Sequence, residues 1–414
     1  MEMSSKKRNR YRIMSILLLL CLLVNTSAFA GPKVIAKGVQ AAVPSDNAEE
    51  LRGVWFSYLD WMEMPSDPAA FQMKADRIMA DIRSKGINAI FCHVHSHSDS
   101  YGKKLKTFPE SKFVPTGKTA PQFDPLAYMI QSAHKHGLKF HAWMNPYRVT
   151  GYRKSWDDVP ADSVLKTWVN NGNILLHEGQ YYLNPARKEV QDLLVQSVTE
   201  LMKNYPVDGV QFDDYFYPSL AKGQAFDTAD YQASASSMSL ADWRRNNVST
   251  LIHRVHDAVH AVNAGAVFGV SPIALLSGLR NEKAYFVDID LWMRSNQYVD
   301  YIMPQIYHGF EAKNGQGQAA PHAFATCLAD WVALKNQLQS PVKLYVGLAL
   351  YKCGSNVWDG NTVPEWLRYP DILMRQVQYA RETGAVSGFG IYDYQNFDDP
   401  EKQQELLNLQ KVFS

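Results

Sequence analysis

The sequence predicts one α/β domain of the (β/α)8, or TIM-barrel, class. Short apolar runs alternate with helical stretches eight times from Leu51 onward, and repeated β-then-α units favour a closed parallel barrel. The segments that follow the runs, 95–122, 146–184 and 214–239, are long and polar, whereas the returns from helix to strand are short. Barrel enzymes build their sites from the first kind of connection. No glycine-rich fingerprint follows the first run, which weakens the alternative, an open doubly wound sheet.

The chain opens with Lys6, Lys7, Arg8, Arg10 and Arg12, then an apolar run over 13–24, then Ala28-Phe29-Ala30. A basic start, a run short for a bilayer and a small-x-small site form the pattern of a secretory signal peptide. Residues 1–30 are therefore read as cleaved, against the alternative of an uncleaved anchor. Leu20 stands where a lipobox needs a small residue, so Cys21 goes with the discarded segment. Residues 31–50, with no periodicity, read as a linker, and 51–414 as the barrel.

Strands are expected at 53–58, 89–94, 139–145, 209–213, 267–271, 301–307, 344–351 and 388–394. Helices are expected at 68–85, 125–136, 185–204, 240–262, 287–298, 322–337, 371–383 and 400–412. Several helices start at Asp or Asn followed by Pro, which suits an N-cap with proline in the first turn. Lys85-Gly86 and His136-Gly137 read as glycine-closed ends.

The 414 residues carry a net charge of +1, 46% hydrophobic and 20% charged residues, so nothing points to a polyanion such as nucleic acid. Ten Trp, 22 Tyr and 18 Phe are more than core packing requires, and aromatic faces are stacking platforms for sugars. Cys92, Cys327 and Cys353 remain after processing. Their odd number argues against a disulfide framework, and they read as buried thiols. No cysteine spacing resembles a zinc site, and no metal or other cofactor is expected.

Strand side chains alternate between faces. Where the apolar set faces the helices, the other set lines the barrel. This turns Gln211 and Asp213 inward in the fourth strand, His141, Trp143 and Asn145 in the third, and Met303, Gln305 and Tyr307 in the sixth. Ser271 ends the fifth, Tyr351 the seventh, and His93 falls inward in the second. Polar and aromatic residues thus gather where a purely structural barrel would carry Val, Ile and Leu.

Asp213 and Asp214 form the strongest chemical feature. A carboxylate at the end of a barrel strand among aromatic rings is expected to hold its proton unusually well and to serve as a general acid. Asp213 takes that role and Asp214 supports it, although Asp214 lies past the strand on the opposite face. Asp208, at the other end of the strand, reads as structural. A glycosidase normally needs a second carboxylate. Asp393 ends the last strand but shares a face with Phe389 and Ile391, which reads as helix-facing. Glu178, Asp359 and Glu365 lie on loops. The substrate's own N-acetyl group can replace that second group. His93-Val94-His95-Ser96-His97 is the rival constellation, a metal-binding run for amide or ester hydrolysis.

Arg52-Gly53-Val54-Trp55, His141-Ala142-Trp143-Met144-Asn145-Pro146-Tyr147-Arg148, Asp208-Gly209-Val210-Gln211-Phe212-Asp213-Asp214-Tyr215-Phe216-Tyr217-Pro218, Val270-Ser271-Pro272 and Met303-Pro304-Gln305-Ile306-Tyr307 resemble the bacterial glycosyl-hydrolase-like family 10 over about residues 50–412. The resemblance implies a glycosidase-type barrel in an exported or envelope location, with cell-wall glycan as the substrate class. Family members usually carry a Gln-Val-Arg-type motif at the second strand, where this chain has His93-Val94-His95. The fourth-strand motif is also similar to that of chitinase-type barrels, but Tyr215 occupies the place of their acid glutamate.

The sequence therefore reads as an exported glycosidase acting on bacterial envelope glycan, N-acetylated peptidoglycan strands first among them, with Asp213 and Asp214 catalytic. Arg52, His93, His141, Trp143, Asn145, Arg148, Gln211, Tyr215, Ser271, Gln305, Tyr307, Tyr351, Tyr392 and Asp393 are expected to line the sugar site. The alternatives are a non-catalytic glycan-binding barrel and a metal-dependent polysaccharide deacetylase. A chain lacking residues 1–30 is expected to stay soluble with an unchanged fold, and the exported protein to begin at Gly31. N-terminal sequencing and circular dichroism check both, and a mature chain that keeps residues 13–24 refutes the cleavage.

Overall fold

The computed structural model describes residues 50–115, 122–214, 216–220 and 225–414. The expected signal peptide, nearly all of the linker, and Tyr215 lie outside them. Strands β1 (Leu51–Phe56), β2 (Ala89–His95), β3 (Lys139–Met144), β6 (Gly209–Phe212), β7 (Val267–Val270), β8 (Tyr301–Ile302), β9 (Lys343–Ala349) and β10 (Val386–Tyr392) close into one barrel. Their order around it is β1-β10-β9-β8-β7-β6-β3-β2, and every pairing is parallel. The remaining two strands, β4 (Ile174–His177) and β5 (Gln180–Leu183), form an antiparallel hairpin inside the long connection after β3. The sequence marks that connection only as long and polar.

Helices fill the returns for the expected reasons. Asp67 and Asp124 each accept a backbone N–H of the first turn, from Ala70 and Ala127, with proline at the following position. Gly86 and Gly137 take positive φ of 78° and 72° just past the helix ends, where a side chain is disfavoured. Leu240–Val262 matches its expected bounds. The helix expected at 287–298 shrinks to Ile289–Trp292. The expected strand 301–307 keeps ladder pairing only at Tyr301–Ile302, because Pro304 has no N–H to donate. Beyond it Gln305 makes single bridges to Ile273 and Gly347. Among the described residues no helix is long and apolar enough to cross a membrane, and the three cysteines are buried and unpaired.

Two apolar layers result. One lies between sheet and helices and includes Val210, Phe212, Leu344, Val346 and Leu348. The other fills the barrel with Trp55, Phe91, Trp143, Tyr301, Met303 and Tyr345. Rings this large fit inside only because neighbouring inward positions are glycine. A Cβ on Gly269 would stand 2.2 Å from the Tyr301 ring, and one on Gly53 2.2 Å from Phe91. Gly269→Ala is therefore expected to cost about 1–3 kcal/mol through overpacking. Urea unfolding measures this, and an unchanged midpoint would show that the ring stack yields.

Candidate active site

At the C-terminal mouth, Asp213 and Asp214 follow β6 directly. Asp213 is 3% exposed, and its Oδ2 accepts Trp143 Nε1–H at 3.0 Å and an Asn145 Nδ2–H. The orientation of that Asn145 amide is set from behind. The backbone N–H of Tyr58 can only donate, and it meets His93 Nδ1 at 3.0 Å. His93 must then carry its proton on Nε2, which faces Asn145 Oδ1 at 3.0 Å. Arg148 Nη2 donates to the same oxygen at 2.8 Å. With two donors on Oδ1, the Asn145 NH2 points at Asp213. His93 also stacks on Trp143 with ring centroids 3.3 Å apart and planes 16° apart. Burial keeps the imidazole well below the usual histidine range, so it stays neutral.

Asp214 is in a different environment. It is partly exposed, and burial pushes its carboxyl up to about 6 although the nearby Gln305 amide and Arg148 pull the other way. Gln305 is itself held by donating to Ser271 O at 2.9 Å. Two adjacent carboxyl groups thus have unlike surroundings. One oxygen of Asp213 is committed as an acceptor to two N–H donors, while Asp214 holds a proton into the mildly acidic range.

A third carboxyl stands across the mouth. β6 and β10 are four places apart in the closed order, so Asp393, following β10, faces the pair from the opposite wall. It is 6% exposed, hydrogen-bonded by Asn396, and pushed up by burial to about 7. Burial, with the field of Asp393 added, raises Asp60 well above the carboxylate range. Tyr307 lies between the walls and feels Asp214, Asp393 and Asp213. Its ring centroid is 5.7 Å from that of Tyr392 and 6.1 Å from that of Tyr351. Tyr307, Tyr351, Tyr392, Gln305, Arg148 and Asp214 are all partly exposed, which leaves them accessible to a ligand.

Several expected site residues lie elsewhere. Arg52 is near the start of β1 and donates to Phe413 O, at the opposite end of the barrel. His141 is inward but deep, level with Gly209 at the start of β6 and packed on Phe91 at 5.0 Å. Gln211 is fully buried and accepts Trp55 Nε1–H at 2.9 Å. Ser271 spends its hydroxyl on Met303 O at 2.8 Å. His93, Trp143 and Asn145 are too buried to meet a sugar broadly, and Trp143 and Asn145 instead donate to Asp213. Asp214 and Asp393, both expected at the site, reach the mouth although strand alternation alone would turn them toward the helices. β6 ends at Phe212 and β10 at Tyr392, so strand alternation does not extend to them. Glu365 accepts Glu311 N–H and Asp359 accepts Glu365 N–H, which makes both loop braces. Glu178 has φ 45° in the two-residue turn between β4 and β5.

The histidine run does not converge. Both nitrogens of His93 are engaged, His95 packs against Phe108 at 4.6 Å, and His97 Nδ1 meets Ser96 Oγ at 2.9 Å. The sequence reading missed Asp60. Its signal was present as Ser57-x-x-Asp60 after the first strand, a capping box in which Asp60 accepts the Ser57 N–H at 2.6 Å.

Comparison with known proteins agrees with this architecture. Residues 50–366 match the family described as Glycosyl hydrolase-like 10. The glycosyl hydrolase DigH of Escherichia coli (strain K12) is 30% identical over 432 residues, covering 96% of this chain and 95% of that protein. The glycosyl hydrolase YngK of Bacillus subtilis (strain 168) is 31% identical over 390 residues, covering 87% of this chain and 71% of that protein. Among solved structures, the glycoside hydrolase domain of PgaB from Bordetella bronchiseptica superposes with a TM-score of 0.57 at 16% identity, covering 89% of this chain and 99% of that one.

Proposed function

From the chain's membership of the glycosyl hydrolase-like 10 family, we propose that it is an exported glycosidase that cleaves N-acetylated glycan strands of the bacterial envelope, peptidoglycan first among them. The observation that carries the chemistry is the adjacent pair Asp213–Asp214 in two unlike environments. Neighbouring carboxyl groups whose surroundings separate their protonation divide acid and anion roles.

The sequence alone favoured Asp213 as the acid. The geometry supports moving that role to Asp214, which is partly exposed, holds its proton to about 6 and can present it to a glycosidic oxygen. Asp213, with two N–H donors on Oδ2, serves as the anion that steadies the positive charge developing on the substrate. Asp393 is held up to about 7 and is partly protonated near neutrality, which makes it a poor nucleophile but a good hydrogen-bond partner for a sugar hydroxyl. An N-acetyl group acting as internal nucleophile fits this set best, and it is why N-acetylated strands are the favoured substrate. Tyr307, Tyr351 and Tyr392 supply the aromatic wall. The exported location rests on the leader sequence.

Purified peptidoglycan, with and without stem peptides, is the test substrate, with products read by mass. New reducing ends support the proposal. Binding without cleavage would favour a glycan-binding barrel, and chelator-sensitive acetate release a deacetylase.

The roles are separable by pH and leaving group. An acid must be protonated to work, so kcat/KM is expected to fall roughly tenfold per pH unit above a limb near 6. Asp214→Asn should lose about 10²–10⁴ in rate on glycan and lose the limb, yet recover on an aryl glycoside whose leaving group needs no proton. Asp213→Asn should fall comparably on both substrates. If Asp214→Asn keeps more than about a tenth of the rate against that expectation, it is not the acid. If the limb vanishes in Asp393→Asn instead, Asp393 is.

A further inference from the structure

A second cluster of chemically competent side chains lies at the opposite end of the barrel from the mouth. His256 and His260 sit one turn apart on helix Leu240–Val262, a spacing that places both rings on one face. Asp300 immediately precedes β8 and is clamped there by the backbone. Its N–H donates to Phe268 O at 2.8 Å, its carbonyl accepts Lys343 N–H at 3.0 Å, and its Oδ2 accepts Phe268 N–H at 2.7 Å.

The three side chains converge. His260 Nε2 is 3.0 Å from Asp300 Oδ2, and His256 Nε2 is 3.7 Å from Asp300 Oδ1. One donor atom from each residue lies within 4.8 Å of the others. A bland reading is an ion pair at a helix C-terminus, where cations are favoured. It accounts for His260 fully, but for His256 only as long ion pairs with Asp300 and Asp257. Both ring nitrogens of His256 are buried without a hydrogen-bond partner, and the nearest carboxylate oxygens are 3.7 and 3.8 Å away. Such a residue asks for an acceptor of its lone pair.

The geometry points to a site for one zinc-class divalent transition metal ion, bound by His256 and His260 through Nε2 and by Asp300 through a carboxylate oxygen. Tetrahedral zinc with ligands at about 2.0–2.2 Å places its donor atoms roughly 3.3 Å apart, close to the 3.0 Å from His260 Nε2 to Asp300 Oδ2 and the 3.7 Å from His256 Nε2 to Asp300 Oδ1. Two imidazoles and one carboxylate select zinc, cobalt or nickel over magnesium or calcium. All three residues retain some exposure, at 13%, 28% and 21% of their side chains, so an ion can enter and water can take the fourth position. Asp257 Oδ1, 3.8 Å from His256 Nδ1, is placed to steady the ring from outside. The ion would tie the end of a long helix to the start of β8, remote from Asp213 and Asp214, and so act on stability and not on turnover.

The test uses the mature chain without a histidine tag, metal-stripped and then titrated with zinc sulfate. Bound metal is counted after dialysis, and melting is followed in parallel. The expected result is one zinc per chain and a rise in melting temperature of roughly 3–8 °C at a hundredfold excess over Kd, with glycan turnover unchanged. His256→Ala and His260→Ala should each lose the bound zinc and the shift. His253→Ala, a turn away on the same helix, should keep both. Wild-type protein that retains no zinc overturns the proposal, and so do ligand variants that bind and shift like wild type.

Discussion

A single backbone N–H organises the mouth of this barrel. Tyr58 N–H has no choice but to donate, and its target is His93 Nδ1. That contact determines the tautomer of His93, which orients the Asn145 amide, which in turn directs an N–H at Asp213. Every member of the chain is largely buried, where an unmade hydrogen bond costs about 1–3 kcal/mol, so no link is free to reverse. The stacking of His93 on Trp143 joins the second donor to the same frame. The difference in environment between Asp213 and Asp214, on which their proposed roles rest, is therefore not a property of two aspartates. It comes from what stands behind one of them.

The barrel makes this possible by what it puts inside. Trp55, Phe91, Tyr301 and Met303 fill the interior and form a dry floor beneath the mouth. Gln211, fully buried on that floor, is engaged by Trp55. Above it, carboxyl groups from opposite walls meet around Tyr307 in surroundings poor enough in water to raise Asp214 and Asp393. The cluster of His256, His260 and Asp300 belongs to the other end, where polar groups in barrels commonly serve stability.

Much of this was legible in the sequence. The alternation of apolar runs and caps located the barrel strands to within a few residues at most ends, and alternation named the inward face correctly at Trp143 in β3 and Gln211 in β6, and at Asn145 and Asp213 one residue beyond them. What alternation cannot supply is height. His141 and Arg52 are on strands that lead to the site but sit low, because height follows from inter-strand register, such as His141 against Gly209, and register is a property of the closed sheet. Alternation also loses its hold where the strand stops, so by facing alone Asp214 and Asp393 would turn toward the helices, although both are expected at the site and both reach the mouth. The histidine run looked like a ligand set in one dimension. Its members separate in three dimensions, while His256, His260 and Asp300, spread over 45 residues of sequence, come together.

The most direct test of the account is the protonation of His93. Protein labelled with 15N-histidine, assigned by comparison with His93→Gln, reports the tautomer of each imidazole by nitrogen chemical shift and one-bond proton coupling. The account predicts a neutral His93 with its proton on Nε2 and a bare Nδ1, unchanged between pH 5 and about 8, a range spanning the ordinary histidine pKa. A proton on Nδ1, or titration of the ring within that range, would contradict it. The Asn145 amide would then be free to turn, and the distinction between Asp213 and Asp214 would lose its cause.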